Sequence, residues 1–488
     1  MEIKNIKEGD IFEGIVKITS KFQPGPVIFE VTDGTGFIEA VTRESTFNTN
    51  DVVKIKGQVG ERNGKLRIEL KAIYEAKTDF DEIIDKKAEP KDIDLSIKSD
   101  KLETLKPYFL KIAKKIRKTI LSGEPILIRH HADTDGITAG LAIEKSCKLL
   151  MEEIGIEPKH TLFRSPSKAP FYEVMDVFKD ISFTKRMLEG HGQNKPLILV
   201  LDNGSTPEDV FAMKTLHSLG FEIIVIDHHN PVVLENKKTA VCPYVDLHVN
   251  PYMEGFDGNV TAGMLCYEIA RLINNNFENK LLPAMSCIGD RSSIDEAKEY
   301  LKNSGIDESK VRQKVIAMDY IAYNMKFDAG KGVYEQLFEN NNFVNLLNEE
   351  VNKGVETQLQ STLPYLRTQE LNGVIFSYID LEKYTVRFTY PTPGKVIGMI
   401  HDNVAEDKHE PVITIGYLSD MIILRATKPV LPIAKIIENL QQKFPEANVD
   451  GGGHEMAGTI KFVSAHLNVI IENIKEQIKG LKVNERNE

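Results

Sequence analysis

The sequence predicts an α/β protein: an open, mostly parallel-sheet domain, a smaller α/β domain after it, and a small β-barrel of OB type before it. Three observations predict this. Residues 9–75 hold five short runs rich in Val, Ile and Phe, broken by turn signals. From residue 125, continuous apolar runs alternate with helical stretches, as in a parallel sheet buried on both faces. After residue 370 the strand signals return and end in a helical stretch.

The five N-terminal strands are DIFEGIVKITSKF, GPVIFEVTD, GFIEAVTRE, DVVKIKGQV and KLRIELKAIY, with QPG, DGTG and RNG as turns. They define a domain over residues 1–80. Residues 81–104 are polar and aperiodic and read as a linker. In LKPYFLKIAKKIRKTILS, Phe109, Ile112, Ile116 and Ile120 recur at helical spacing. Lys111, Lys114, Lys115 and Lys118 lie mostly off that stripe, either as a solvated face or as an edge that tracks phosphates.

The strands ILIRH, KPLILVLD and EIIVID then alternate with helices, placing the main α/β domain at 105–299. Residues 300–366 read as a helical connector or insertion, and 367–488 as the second α/β domain.

Composition excludes several classes. At 488 residues the chain is too long for one ordinary core. No apolar run can span a bilayer, and the start, MEIKNIKEGD, lacks a signal-peptide pattern, so a cytoplasmic protein without membrane contact is expected. Cys147, Cys242, Cys266 and Cys287 form no CxxC pair and read as reduced core thiols. A net charge of -11 argues against a broadly basic nucleic-acid binder but leaves room for a local groove.

Histidines and aspartates gather where strands end. His130 and His131 close the first strand of the main domain, with Asp133 and Asp135 in the loop and Gly136 opening the next helix. Asp202 follows LILVL, Asp227, His228 and His229 follow EIIVI, and Asp290 lies in LPAMSCIGDRSS. Ligands of open parallel sheets bind beyond the carboxyl ends of the strands, so these groups are expected to converge. That much carboxylate in one crevice repels itself unless cations are present. Oxygen and imidazole donors without sulfur favour two divalent cations, Mn²⁺ first and Mg²⁺ second. Two ions about 3.5–4 Å apart, sharing a carboxylate, form a hydrolytic clamp for phosphoryl groups. Any one of these residues alone would read as a helix cap or turn residue.

With Asp227-His228-His229 in place, the chain resembles the DHH phosphoesterase superfamily. DGGGHEMAG resembles its DHHA1 domain, and archaeal RecJ-like nucleases are the nearest resemblance within it. The resemblance covers about residues 105–480. It implies that His131, Asp133 and Asp202 hold a first ion, and that Asp135, Asp202, His228 and Asp290 hold a second. It gives His229 a phosphate-side or supporting role, has Asp227 orient its neighbours, and leaves His130 as a supporting residue. It assigns substrate phosphate to Arg425, Gly451, Gly452, Gly453 and His454, although the triplet around Arg425 departs from the usual serine-rich form.

The N-terminal domain resembles OB-fold nucleic-acid modules through VTDGTGFIEAV. Phe22, Phe29 and Phe37 are the aromatics able to stack bases. For each, barrel core is the competing reading, and Val27, Phe29 and Val31 alternate as if inward. Phe37 and Lys54 are freer candidates.

The expected activity is metal-dependent exonucleolytic hydrolysis of single-stranded DNA, RNA or both, releasing nucleoside monophosphates. The alternative is a small phosphoester: an oligoribonucleotide, a cyclic dinucleotide, phosphoadenosine phosphate or pyrophosphate. A replisome scaffold is a lesser alternative, because each expected ligand is intact. Expected partners are the single strand itself, a replisome (GINS-type) or RNA-processing protein, and a second copy of the chain.

Overall fold

The computed structural model describes residues 1–481 except 24, 168, 170, 192, 193, 327, 387 and 455. It divides into two compact units, Met1–Phe338 and Glu339–Glu488.

The first unit begins with the expected barrel. Strands β1 (Ile11–Phe22), β2 (Val27–Thr32), β3 (Phe37–Thr42), β4 (Val52–Arg62) and β5 (Lys65–Glu75) close in the order β1-β2-β3-β5-β4. Only β3 and β5 run parallel. Alternation turns Phe12, Val16, Val27, Phe29, Val31, Ile55 and Ile68 inward, so Phe29 is core and stacks no base. Phe22 ends β1 with 67% of its surface exposed. Lys54 pairs with Glu13 at 2.9 Å. On the β2–β3 face, where OB folds bind oligonucleotides, Glu30 stands opposite Glu39. Burial raises the Glu30 pKa, and the Glu39 charge adds to that shift. Two adjacent carboxylates make this a poor place for a phosphate backbone.

The segment expected as a linker begins with a helix, α1 (Phe80–Lys87), capped where Asp79 accepts from the Glu82 N–H at 3.3 Å. It buries Phe80 and Ile84, and Ile84 packs on Gly34, whose φ is +79°. Two buried positions are too few to show a helical period. Helix α2 (Asp100–Leu121) buries Phe109, Ile112, Ile116 and Ile120 as the spacing predicts. Its lysines are not a bare phosphate edge. Lys114 meets Asp85 at 2.7 Å and Glu89 at 2.9 Å, Lys118 meets Asp85 at 3.5 Å, and Lys115 meets Glu222 at 2.5 Å. Lys111 is exposed.

The main sheet comprises β6 (Ile126–His131), β7 (Leu162–Ser167), β8 (Leu197–Leu201), β9 (Ile223–Ile226) and β10 (Leu247–Val249), in the order β10-β9-β8-β6-β7. All four pairings are parallel. The apolar runs reveal β6, β8 and β9. Edge strands β7 and β10 were not legible, because β7 carries Arg164 and Pro166 and β10 has three residues. Helices α3 (Thr134–Glu153), α4 (Val174–His191), α5 (Val210–Ser218), α6 (Ala262–Ile273) and α7 (Leu281–Gly289) accompany it. The chain reverses its build direction between β6 and β8, and that switch point is where open α/β sheets bind ligands.

The barrel docks at the opposite end of this sheet. Phe37 N–H donates to the Ile154 carbonyl at 2.9 Å, at the end of α3. Its ring lies over Gly123, where a Cβ would sit 2.9 Å from Cε1. Gly123 lies just before β6. Phe37 is therefore a contact between the barrel and the domain of the parallel sheet. With 20 residues in α3, about 30 Å separates this contact from the sheet's carboxyl edge.

Buried charge ties α4 to the sheet. Arg129 of β6 is 2% exposed. It donates from Nε to Asp180 Oδ2 at 3.1 Å and from Nη1 to the Pro166 carbonyl at 2.9 Å, with Asp176 at 3.7 Å. Tyr172 Oη donates to Asp180 at 2.5 Å. Arg129→Ala leaves the buried Asp180 with the Tyr172 hydroxyl but no cation, while Asp176 keeps Lys179 at 3.3 Å, and is expected to cost about 3–5 kcal/mol. Denaturant unfolding checks this, and a loss below about 1 kcal/mol would count against the network.

The helices between residues 300 and 366 belong to both units. Helices α8 (Asp295–Asn303), α9 (Glu308–Met325) and α10 (Val333–Glu339) extend the first unit, and α11 (Asn341–Thr362) opens the second. The second unit is a six-stranded sheet of β11 (Arg367–Leu371), β12 (Val374–Asp380), β13 (Val412–Tyr417), β14 (Met421–Ala426), β15 (Asp450–His454) and β16 (Ala457–Lys461), ordered β11-β12-β13-β14-β16-β15. Only β12 and β13 run parallel. Helices α12 (Leu381–Tyr384) and α13 (Pro393–Ala405) bury Leu381, Ile397 and Ile400 with Ile379 and Ile423 in one core. Helices α14 (Ile433–Lys443) and α15 (Leu467–Lys479) bury Ile436, Leu440, Ile470 and Ile474 with Phe376 and Leu424 in another.

Candidate metal centre

Three strand ends and one helix end deliver the candidate ligands. His131 is the last residue of β6, and Asp133 caps α3 by accepting from Gly136 N–H at 3.0 Å. Gly136 is required, because a Cβ there would lie 2.3 Å from the His131 carbonyl oxygen. Asp135 sits in the first turn of α3. Asp202 follows β8 with φ +57°, a left-handed conformation that Asp tolerates better than most residues. Asp227, His228 and His229 follow β9, and Asp290 caps α7.

These residues meet. Asp202 Oδ2 lies 3.5 Å from His131 Nδ1, and its Oδ1 lies 3.1 Å from His228 Nε2. His131 Nδ1 is 2.8 Å from Asp133 Oδ2. His228 Nε2 is 3.1 Å from Asp290 Oδ2 and 3.5 Å from Asp135 Oδ2. Three overlapping donor groups result, His131–Asp133–Asp202, Asp135–His228–Asp290 and Asp202–His228–His229, each with its atoms within 4.8 Å of one another. The two oxygens of Asp202 diverge: Oδ2 faces His131, and Oδ1 faces His228 and, at 3.8 Å, His229 Nδ1. Both are buried, and neither accepts a hydrogen bond among the described residues. A buried carboxylate in that state is costly unless a cation takes its lone pairs. Oxygen and imidazole donors converging without sulfur fit divalent cations of the Mg²⁺, Mn²⁺ or Zn²⁺ kind. Cys266 and Cys287 are also buried, and burial pushes both thiols well above their usual range, so they stay protonated.

The electrostatics show what bound cations would relieve. Burial raises the Asp135 and Asp202 carboxyls, and neighbouring carboxylates raise them further. Burial opposes charge on His131, but Asp133 and Asp202 outweigh it and lift its pKa well above the ordinary value. Burial likewise opposes charge on His228, and Asp202 and Asp290 outweigh it. Without cations, protons on these imidazoles offset the carboxylate charge.

Several supporting contacts were not foreseen from the sequence. Asp135 Oδ2 accepts from Ala262 N–H at 2.9 Å, while its Oδ1 accepts from Gly263 N–H at 2.7 Å and Ser286 Oγ at 2.6 Å. The first two donors open α6, whose cap is Thr261. A Thr followed by Ala-Gly before an apolar helix was a legible start signal. His228 Nδ1–H donates to the Gly258 carbonyl at 2.6 Å, which turns Nε2 toward the centre. Asp227 Oδ1 accepts from His229 Nδ1 at 2.8 Å and from the backbone N–H groups of His228 and His229, while its Oδ2 accepts from Ser205 N–H at 3.1 Å. His130 faces away from the ligands. Its Nε2 accepts from Arg164 Nη1 at 3.1 Å and its Nδ1 donates to the His131 carbonyl at 2.6 Å. Burial holds its pKa down to about 3, with help from Arg164.

Comparison with known proteins places this centre. The family model described as DHH family, N-terminal domain, matches residues 125–288. An uncharacterized protein of Methanocaldococcus jannaschii is 38% identical over 95% of this chain and 68% of its own length. The solved structure of the DHH domain of a member of a family of ribosomal proteins is 39% identical, covering 82% of this chain and 97% of that one, with a TM-score of 0.79. The chain belongs to the DHH family.

RecJ from Thermus thermophilus, solved with Mn²⁺, shares the fold at 16% identity, covering 76% of this chain and 54% of that one, with a TM-score of 0.50. The family assignment makes the chain a DHH phosphoesterase, a hydrolase whose centre suits divalent metals. In the second unit of this DHH protein, Arg425, Ala457 and His454 occupy one row across β14, β16 and β15. The glycine run is not a loop: Gly451, Gly452 and Gly453 form edge strand β15. At Gly451, φ is +151° and a Cβ would lie 2.2 Å from the Thr459 carbonyl oxygen, so glycine is required there. Arg425 donates from Nη1 to the Leu424 carbonyl at 2.9 Å. Among the described residues no helix is long and apolar enough to cross a membrane.

Proposed function

We propose that this DHH phosphoesterase is an exonuclease on single-stranded DNA, RNA or both, hydrolysing the strand stepwise to nucleoside monophosphates with two divalent cations, Mn²⁺ or Mg²⁺. The observation that carries the two-cation reading is the Asp202 carboxylate, whose Oδ2 faces His131 while its Oδ1 faces His228. When bound, the cations would acidify a water and neutralise charge on the phosphoryl group.

The chain's own residues do the rest. His131, Asp133 and Asp202 hold one position, and Asp135, His228, Asp290 and Asp202 the other. Asp227 keeps His229 in place and, against the effect of burial, raises its pKa. His229 can then offer a proton or positive charge to a phosphate oxygen. Arg425 and the Gly451–His454 strand are the proposed phosphate contacts of the second unit. A strand-binding or replisome partner, and a homodimer, fit the same reading.

One observation keeps a small-substrate reading open. The barrel docks on the far edge of the sheet, and Lys114 and Lys118 are paired with acids. Nothing described near the metal centre requires a long strand. The two readings separate in a time course with Mn²⁺ on an end-labelled 30-mer (about 30 nucleotides) and on a dinucleotide. A ladder of monophosphate products from the long strand supports the exonuclease. Turnover confined to the dinucleotide supports the alternative.

The barrel's position sharpens a further expectation. A strand touching both barrel and centre must span about 30 Å, or on the order of ten stacked nucleotides. Deleting residues 1–80 should leave dinucleotide turnover unchanged and should weaken binding only of strands longer than this. Binding curves against strand length check it, and equal losses at every length would exclude a remote grip.

A further inference from the structure

We propose that the second unit carries a base-stacking platform for single-stranded nucleic acid, built by Tyr365 and Arg367 where β11 begins. It deepens the exonuclease reading above and rests on it.

Tyrosines crowd this end of the sheet. Tyr365 ends a short 3₁₀ turn, Leu363–Tyr365, that follows α11, and Tyr384 ends α12. Their rings stack, with centroids 4.1 Å apart and planes 10° apart. Tyr384 is itself held in place. It packs against the core of Leu381, Ile397 and Ile400, and its carbonyl accepts from Thr362 Oγ1 at 3.2 Å. Tyr384 thus covers one face of the Tyr365 ring. Tyr365 is still 54% exposed, so its other face is open to water. A ring held at a fixed angle with one bare face is a stacking surface for a base.

A cation stands beside this stack. Arg367 opens β11 and lies directly opposite Tyr378 of β12. Its neighbours are tyrosine hydroxyls: Tyr378 first, then Tyr417 and Tyr384, favour its charge, and no carboxylate pairs with it among the described residues. The nearby lysines are taken. Lys383 meets Asp380 at 3.0 Å, and Lys475 meets Glu472 at 2.6 Å. Lys475 also lies 4.6 Å from the centre of the Tyr378 ring and covers it. A guanidinium without a carboxylate, next to a bare ring, suits a ligand that is both planar and anionic. A nucleotide is such a ligand.

The platform is separate from the Arg425 row. Arg425 pairs with Thr414, and Tyr417 lies three residues further along β13, so Tyr417 and Arg425 are on opposite faces of the sheet. Arg367 shares the Tyr417 face, because its partner Tyr378 pairs with Ile415, two residues from Tyr417.

The geometry selects a strand over a free mononucleotide. Tyr365 offers one ring face on an open surface, and a single stack of that kind is worth about 5–150-fold in affinity. That is too little to hold one nucleotide alone. A polynucleotide gripped elsewhere along its length brings its next base to the ring at high effective concentration.

The test is fluorescence anisotropy of the full chain with a labelled single strand of about 30 nucleotides, in chelator so that no divalent cation supports turnover. Tyr365→Ala should weaken binding about 5–150-fold, and Tyr365→Phe, which keeps the ring, by less than about twofold. Arg367→Gln should weaken binding and lower the slope of log K against log salt by about 0.7. Thermal unfolding confirms that each variant is folded, and the exposed Arg367 reads the platform even where Tyr365→Ala disturbs the stack. Unchanged binding in Tyr365→Ala and Arg367→Gln would overturn the platform and spare the exonuclease reading, provided the wild type binds the strand and degrades it once Mn²⁺ is added. A wild type that neither binds nor degrades the strand would overturn both. An equal loss on adenosine monophosphate would make this a mononucleotide site and overturn the strand assignment. A wild-type dimer that Tyr365→Ala converts to monomer, with strand binding unchanged, would give the ring to a second copy and overturn it as well.

Discussion

Asp202→Ala is expected to lower phosphodiester hydrolysis by at least about a thousandfold, or ~4 kcal/mol of transition-state stabilisation, while the protein stays folded. The loss follows from the role proposed for one side chain at both cation positions: Oδ2 faces His131 and Oδ1 faces His228. On that proposal, removing any other ligand would damage one position, whereas removing this one would damage both. The fold should survive because Asp202 contributes little to it. Its oxygens accept no hydrogen bond among the described residues, its φ is +57°, and burial among carboxylates raises its pKa. Cation-free stability should stay within about 1 kcal/mol of wild type, as expected where function and stability oppose each other. Turnover in manganese-containing buffer, measured beside a denaturant titration, checks both parts. Retained turnover would remove the shared role, and collapse of the fold would show that Asp202 is structural.

Asp227→Asn should lower kcat by about a hundredfold or more and move the alkaline limb of the pH–rate profile to lower pH. Burial pushes the Asp227 carboxyl up, but the adjacent His229 charge outweighs it and holds the group below the usual carboxylate range. In turn, Asp227 overcomes the burial of His229 and raises the imidazole pKa. The sign follows. With Asp227 present, His229 keeps its proton to higher pH; with asparagine it loses the proton earlier. If protonated His229 serves the phosphate, activity must fall at a lower pH in the variant. Asparagine can still accept the hydrogen bond from His229 Nδ1–H, so ring orientation is largely kept and the charge is what changes. A slower variant with an unmoved alkaline limb would leave Asp227 as a clamp on the Ser205 loop alone.

Much of this centre was legible in the sequence because strand ends in a parallel sheet lie side by side. His131, Asp202 and His228 are far apart in the chain, yet β6, β8 and β9 are adjacent and parallel, so their ends meet. The continuous apolar runs revealed those strands because both faces of the sheet are covered. Edge strands escaped notice, since β7 tolerates Arg164 and Pro166 and β10 needs three residues. Supporting contacts escaped for another reason. Ser286 and Gly258 reach the ligands through tertiary packing, which has no local signature. Lys114 and Lys118 looked like a cationic edge because their partner acids lie on α1, a helix too short to show a period, and just beyond it. The glycine run reads as a loop in any propensity scale, but cross-strand pairing with β16 overrides that preference.

The most direct test of the central claim is anomalous diffraction from a crystal soaked in millimolar Mn²⁺. The account expects two manganese peaks about 3.5–4 Å apart, with Asp202 Oδ1 on one and Oδ2 on the other. A single peak, or two peaks that do not share Asp202, would contradict it.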